Sequence, residues 1–218
     1  QDLTPMQLRM VARRARGGSV TILGDIAQAT GPVVYDRWDE VLTSLDATAT
    51  AELAELRHAY RVPAEIMDLA LPLLETVAPG VAPPIAFRGG AAAPRIERVD
   101  EGDLVTAALR EAVALAAEEG LLAVILPDSL VPDIAGHSAY DDGIPLLSPR
   151  RAKGLEFDHV VVVEPALIAE GAKGLRELYV SLTRPTTTLV VVHARPLPDE
   201  LSVSQADLGS LLPGRANS

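Results

Sequence analysis

Four consecutive valines, residues 160–163, follow a charged, glycine-broken stretch, Arg151-Ala-Lys-Gly-Leu-Glu-Phe-Asp158. A strand that is apolar at every position has no face to give to water. It must lie inside a sheet covered on both sides, which in practice means a parallel sheet between layers of helices. Two more stretches read the same way, "LLAVILPD" at 121–128 and "TTLVVVHA" at 187–194. Aromatic residues make up only 3% of the chain, so the core around these strands is aliphatic.

Between the strands the period changes to that of helices. Helices are expected at 5–16, opening on Pro5, and at 46–58. Another follows Pro63 in "YRVPAEIMDLALPLLETV", then 102–119 closed by Gly120, a short one at 129–135, and 173–184. Further strands are expected at 19–25, 94–100, 144–149 and 159–165. The tail from 196, rich in Pro, Ser and Gly, reads as loose. This alternation predicts an α/β fold. In such sheets ligands bind at the carboxyl ends of the strands. That places the expected chemistry in "GDIAQ" after 19–23, "RAKGLEFD" after 144–148 and "EPA" after 159–163.

Composition removes several functions. The net charge of −11 argues against nucleic-acid or anionic-membrane binding over the whole surface, while leaving room for a local basic groove. The chain has no cysteine, hence no disulfide and no thiolate metal site, which is compatible with a reducing cytoplasm. No apolar run approaches the roughly 20 residues of a membrane helix. The chain opens on Gln1, and reads as a piece of a longer protein.

Four polar groups stand out. Gly24-Asp25 with Gln28 can face a metal-bound water or a phosphate, although alone it reads first as a strand–turn–helix connection. Tyr60-Arg61, just ahead of the helix at Pro63, suits an anion, or is a solvated arginine. Lys153-Gly154-Leu155-Glu156 sets a carboxylate at the mouth of a buried strand, where it needs a hydroxyl or a cation, or is a corner with a surface ion pair. Arg184 ends a helix that runs into a strand. There it either complements the helix dipole or reaches across an interface to a transferring phosphate.

Taken in order and spacing, these groups resemble the UvrD/Rep-type superfamily 1 helicases and translocases, from residue 1 to about residue 195. "QD" at 1–2 is similar to the tail of the Walker B motif, "LGDIAQ" (23–28) to motif III and "YRVPAEI" (60–66) to motif IV. "AKGLEFD" (152–158) is similar to motif V and "LYVSLTR" (178–184) to motif VI. The resemblance implies a RecA-like P-loop NTPase fold in three parts. Residues 1–45 would be the end of the first RecA-like domain, 46–195 the second RecA-like domain (2A), and 196–218 a tail. It also implies an ATP site. Gln28, Arg61 and Arg184 would contact the γ-phosphate, Glu156 the ribose, and Gly154 would shape the turn carrying Glu156.

The Walker A loop and the acids that bind Mg²⁺ are not in this sequence. The implied cofactors are therefore ATP and Mg²⁺, with the Mg²⁺ ligands upstream, and no turnover is expected from this chain alone. Arg150, where the family has a histidine, together with Arg151 and Lys153, are the nucleic-acid-binding candidates. Tyr35 and Trp38 could stack on a base, with packing the first reading of the Trp. Only residues 129–143 separate two strands where helicases of this type insert a subdomain. With "LGDIAQAT", "FR" at 87–88 and "GLRELYVSLTR", this is closest to the HelD-type, helicase IV-like factors of actinobacteria, which use ATP to free RNA polymerase from nucleic acid. The implied partners are the N-terminal motor domain of the same chain and DNA or RNA polymerase, with no membrane. A conventional DNA repair helicase and a non-catalytic binding module are the alternatives.

Overall fold

The computed structural model describes residues 2–15, 19–48, 50–90, 92–141 and 143–202. In chain order its elements are α1 (Pro5–Arg14), α2 (Trp38–Ser44), β1 (His58–Ala59), α3 (Ala64–Val77), β2 (Ile85–Ala86), β3 (Arg95–Arg98), α4 (Leu104–Ala116), β4 (Leu122–Ile125) and α5 (Val131–Ala135). They continue with β5 (Leu146–Leu147), α6 (Pro149–Ala152), β6 (Phe157–Val163), α7 (Pro165–Ile168), α8 (Gly174–Leu182) and β7 (Pro185–His193).

The valine strands form the middle of one sheet. Its order is β3-β7-β6-β4-β5, with every neighbouring pair parallel. Because side chains alternate across a strand, each valine run feeds two cores. Val160, Val162, Leu189, Val191 and Ile125 join α3 and α8 on one face. Val161, Val163, Val190, Val192, Leu122 and Val124 join α4 and α5 on the other. Each such side chain contributes on the order of 1.5–3 kcal/mol by leaving water. This is the α/β fold the apolar strands predict.

Residues before β1 lie on the α3/α8 face. Leu8, Ile26, Ala27, Tyr35 and Val41 are buried in the same cluster as Leu178, Tyr179 and Leu182. α1 starts as expected, with Pro5 in the first turn and a reciprocal cap. The Gln7 amide N–H donates to Thr4 Oγ1, and the Thr4 N–H donates to the Gln7 side-chain oxygen.

Two expectations fail. Residues 19–25 form no strand, and Leu23 is 82% exposed. A strand needs a neighbour for its amides, and among the described residues nothing pairs with this segment. The described residues of 46–58 form no helix either. The helix in that region is α2, and residues 51–57 are exposed and carry no regular structure before β1. Ala, Glu and Leu favour a helix, but a short helix is marginal without an apolar surface to cover. β1 instead pairs in parallel with β2, His58 opposite Ile85 and Ala59 opposite Ala86. The tail is packed at its beginning, since Leu201 is fully buried, while 203–218 lie outside the described residues.

One corner locks the amino ends of three strands. Gly120 has φ +129°, and a Cβ there would lie 2.7 Å from the Asp158 Cβ. Asp158 accepts from the Leu121 N–H (2.8 Å) and from Thr186 Oγ1 (3.2 Å), tying the entry to β4 and the start of β7 to β6. The Leu121 bond is the main reason its carboxyl titrates below the ordinary 3.8. A depressed carboxyl stabilises the fold above its unfolded value, and that contribution disappears as pH falls through the lower, folded value. Asp158→Asn should therefore lower the urea midpoint at pH 7, with the gap from the parent chain closing below about pH 4. Gly120→Ala should cost about 1–3 kcal/mol by the same assay at any pH.

Candidate functional site

β6 and β7 are parallel neighbours, with Phe157 opposite Pro185, and the Phe157 N–H donates to the Arg184 carbonyl (3.2 Å). The residues just before these strands, Glu156 and Arg184, are thereby held side by side. This is the amino end of the sheet. These candidate residues are expected at the carboxyl ends; they stand at the amino end instead, because the loop "AKGLEFD" leaves α6 and feeds the start of β6. At the carboxyl ends, Glu164 of "EPA" is buried and adopts φ +53°. It accepts from the N–H groups of Ala194 (3.0 Å) and Arg195 (3.3 Å), which makes it a staple between strands.

Arg184 stands at the end of α8 and is only 7% exposed. Its Nε donates to the Val180 carbonyl (2.9 Å), capping the helix, and Nη1 donates to the Leu155 carbonyl (3.2 Å). Nη2 donates to Gln28 Oε1 (3.3 Å) and Thr183 Oγ1 (3.2 Å). Every one of these acceptors is uncharged. Burial pulls the Arg184 guanidinium below its ordinary value, and the like charge of Arg61 pulls the same way, with Asp25 opposing. The result is a buried cation in a field that favours an incoming anion.

Gln28 reaches this group from a 3₁₀ turn, Ile26–Gln28. Asp25 organises the turn by accepting from the Ala27 N–H (2.9 Å) and from Gln28 Nε2 (2.8 Å), which leaves Gln28 Oε1 aimed at Arg184. Tyr179 is buried beside them, and burial, with Asp25 second, pushes its hydroxyl well above the usual range, so it stays protonated.

Arg61 stands one residue beyond β1, after Tyr60, and buried Val62 and Pro63 anchor it at the start of α3. It forms an ion pair with Glu156. Gly154, at φ +79°, supplies the left-handed turn that brings Glu156 round. The five residues expected at a nucleotide, Gln28, Arg61, Gly154, Glu156 and Arg184, all line one open cleft.

The basic candidates do not gather. Lys153 pairs with Asp2, and Arg150 with Glu177 (2.8 Å). Arg151 is exposed and has no ion pair among the described residues. Tyr35 is buried, with its hydroxyl donating to the Leu3 carbonyl (2.8 Å), and Trp38 packs against the core cluster. Tyr35 offers no open ring, whereas Trp38 is partly buried and lines the cleft.

Sequence reasoning missed Arg176 and Tyr179. Arg176, Tyr179 and Thr183 fall at i, i+3 and i+7, one stripe of α8. A charged residue on the stripe that also carries a buried tyrosine was the available signal.

Residues 145–192 match the family model of the UvrD-like helicase C-terminal domain. The match runs from β5 through β7 and includes Gly154, Glu156 and Arg184. Among solved structures, the chain resembles the C-terminal domain of a possible DNA helicase from Lactobacillus plantarum WCFS1. The TM-score is 0.50 at 18% identity, over 66% of this chain and 92% of that one. The fold, a five-stranded parallel sheet flanked by helices, resembles that of this solved C-terminal domain. No curated protein matches the chain.

The Arg61 and Glu156 side chains are 69% and 40% exposed, so solvent screens their attraction. Glu156→Gln should change the urea-derived stability by less than about 1 kcal/mol, with an effect that shrinks further in 0.5 M salt, roughly a 4–5 Å screening length.

Proposed function

We propose that this chain supplies one side of the ATP site of a UvrD-like helicase or translocase, facing the N-terminal motor domain of the same protein. The observation that carries the reading is Arg184, a buried guanidinium whose hydrogen bonds among the described residues all go to uncharged acceptors, at the wall of an open cleft. An ATP triphosphate fits such a group because its charge relieves the cost of burying the cation. ATP with Mg²⁺ supplies the transferable phosphoryl group, and the Mg²⁺ ligands belong to the upstream domain.

In this reading Arg184 and Arg61 approach the phosphate from the second domain and neutralise charge as the cleft closes. Arg61 then exchanges Glu156 for phosphate, and Glu156 becomes available to accept a hydrogen bond from the ribose. Gln28, linked to Arg184 before anything binds, orients against the same phosphate.

The finer reading is a cytoplasmic HelD-type factor that releases RNA polymerase from nucleic acid. It is supported by the short connection between β4 and β5. Among its described residues that connection holds a 3₁₀ turn and α5, and its length leaves no room for an inserted subdomain.

In the full-length protein, Arg184→Ala should lower kcat for ATP about 10³-fold or more, and Arg61→Ala should act in the same direction. This chain alone should not hydrolyse ATP, and turnover by it would overturn the reading of a shared site. A pull-down of RNA polymerase with and without ATP, beside ATPase rates with and without single-stranded DNA, separates the two kinds of motor. Capture with a DNA-indifferent rate is the expected result. No capture with strong stimulation by DNA makes the protein a conventional DNA helicase.

A further inference from the structure

Arg176 is 7% exposed and lines the same cleft as Gln28 and Arg184, but its hydrogen bonds go elsewhere. Its two contacts cross about 150 residues of sequence. Nη1 donates to the Ile26 carbonyl (2.8 Å), and Nη2 donates to Asp36 Oδ1 (2.6 Å). Ile26 is the first residue of the turn that ends in Gln28. The opposite end of that turn meets Arg184, eight residues further along from Arg176. The turn is therefore held at both ends by arginines from one short segment.

The two ends are not equivalent. The Gln28 contact is a single 3.3 Å bond between side chains that each have other partners. The Arg176 contact is a planar fork that satisfies a backbone carbonyl and a carboxylate together, a geometry with little rotational freedom. A three-residue 3₁₀ turn has few internal bonds to hold its own shape. Its place relative to α8 is set from outside, and the strongest polar restraint from outside is Arg176.

We propose that Arg176 is a positioning residue: it fixes the Ile26–Gln28 turn on α8 and so holds Gln28 against Arg184. The proposal rests on the reading of Gln28 and Arg184 as parts of one phosphate site. It assigns Arg176 no contact with the nucleotide. It makes α8 the element through which the 26–36 segment and the arginine at the start of β7 move as one unit.

A double-mutant cycle in the full-length protein tests it. If Arg176 acts through Gln28, Arg176→Gln lowers kcat about tenfold with KM changed less than about twofold, and adds no further loss in a Gln28→Ala background. Losses that multiply in the double variant overturn the proposal, since a purely structural arginine would act independently of Gln28. Asp36→Asn, at an exposed residue and with Arg176 left in place, should give a smaller kcat loss that also vanishes in Gln28→Ala. A second arm uses this chain without nucleotide. The side-chain amide signals of Gln28 in a ¹⁵N spectrum should move to those of a solvent-exposed glutamine in Arg176→Gln and Asp36→Asn. The backbone signals of β6 and β7 should stay in place. Unmoved Gln28 signals overturn the proposal. If the full-length protein hydrolyses no ATP, the proposed function fails, and the amide signals still decide whether Arg176 sets Gln28.

Discussion

The parallel pairing of β6 with β7 is the constraint on which the rest depends. Both strands are buried on both faces, so neither can slide by one residue without moving its valines into the opposite core. That rigidity reaches the ends of the strands. Glu156 and Arg184 are neighbours because Phe157 and Pro185 are. The loop Gly154–Glu156 and the last turn of α8 have little else to decide their relative position. The bond from Arg184 to the Leu155 carbonyl is a result of that register.

On this base the molecule keeps a cation where it is costly to keep one. A buried arginine is normally matched by a carboxylate. Here Asp25 is occupied with the turn that carries Gln28, and Glu156 is occupied with Arg61. Arg184 is left with carbonyls, an amide oxygen and a hydroxyl. These satisfy its donors, while Asp25 offsets part of its charge through the field, which separates hydrogen-bond satisfaction from charge neutralisation. A phosphate adds the second without needing to replace all of the first.

The sheet was legible because apolar strands at 121–128, 159–165 and 187–194 have one physical solution, and the helix around Leu104–Ala116 has a strong stripe. The site residues were legible as types in order, from Gln28 to Arg184. Their location at the amino ends was not, because a loop that follows one strand also precedes another, and only the crossover through α6 decides which end it serves. The segments misjudged, 19–25 and 46–58, share a cause. Local propensity described what they would favour with a partner, and the described residues give the first no neighbouring strand and the second no surface to cover. The clamp at Arg176 was hidden for a different reason. Its partners are far away in sequence, and the one at Ile26 is a backbone carbonyl, which any residue would offer.

The chain has two lysines against seventeen arginines, and both lysines face the segment before β1. Lys153 meets Asp2, and Lys173 donates to the Gly31 carbonyl. Both ammonium groups thus act as struts between the sheet and the layer that delivers Gln28. Reagents that acylate amines, whether dyes, surface couplings or cross-linkers, have no other lysine to attack. Lysine attachment within these 218 residues therefore falls on that seam, and a handle placed elsewhere leaves it intact.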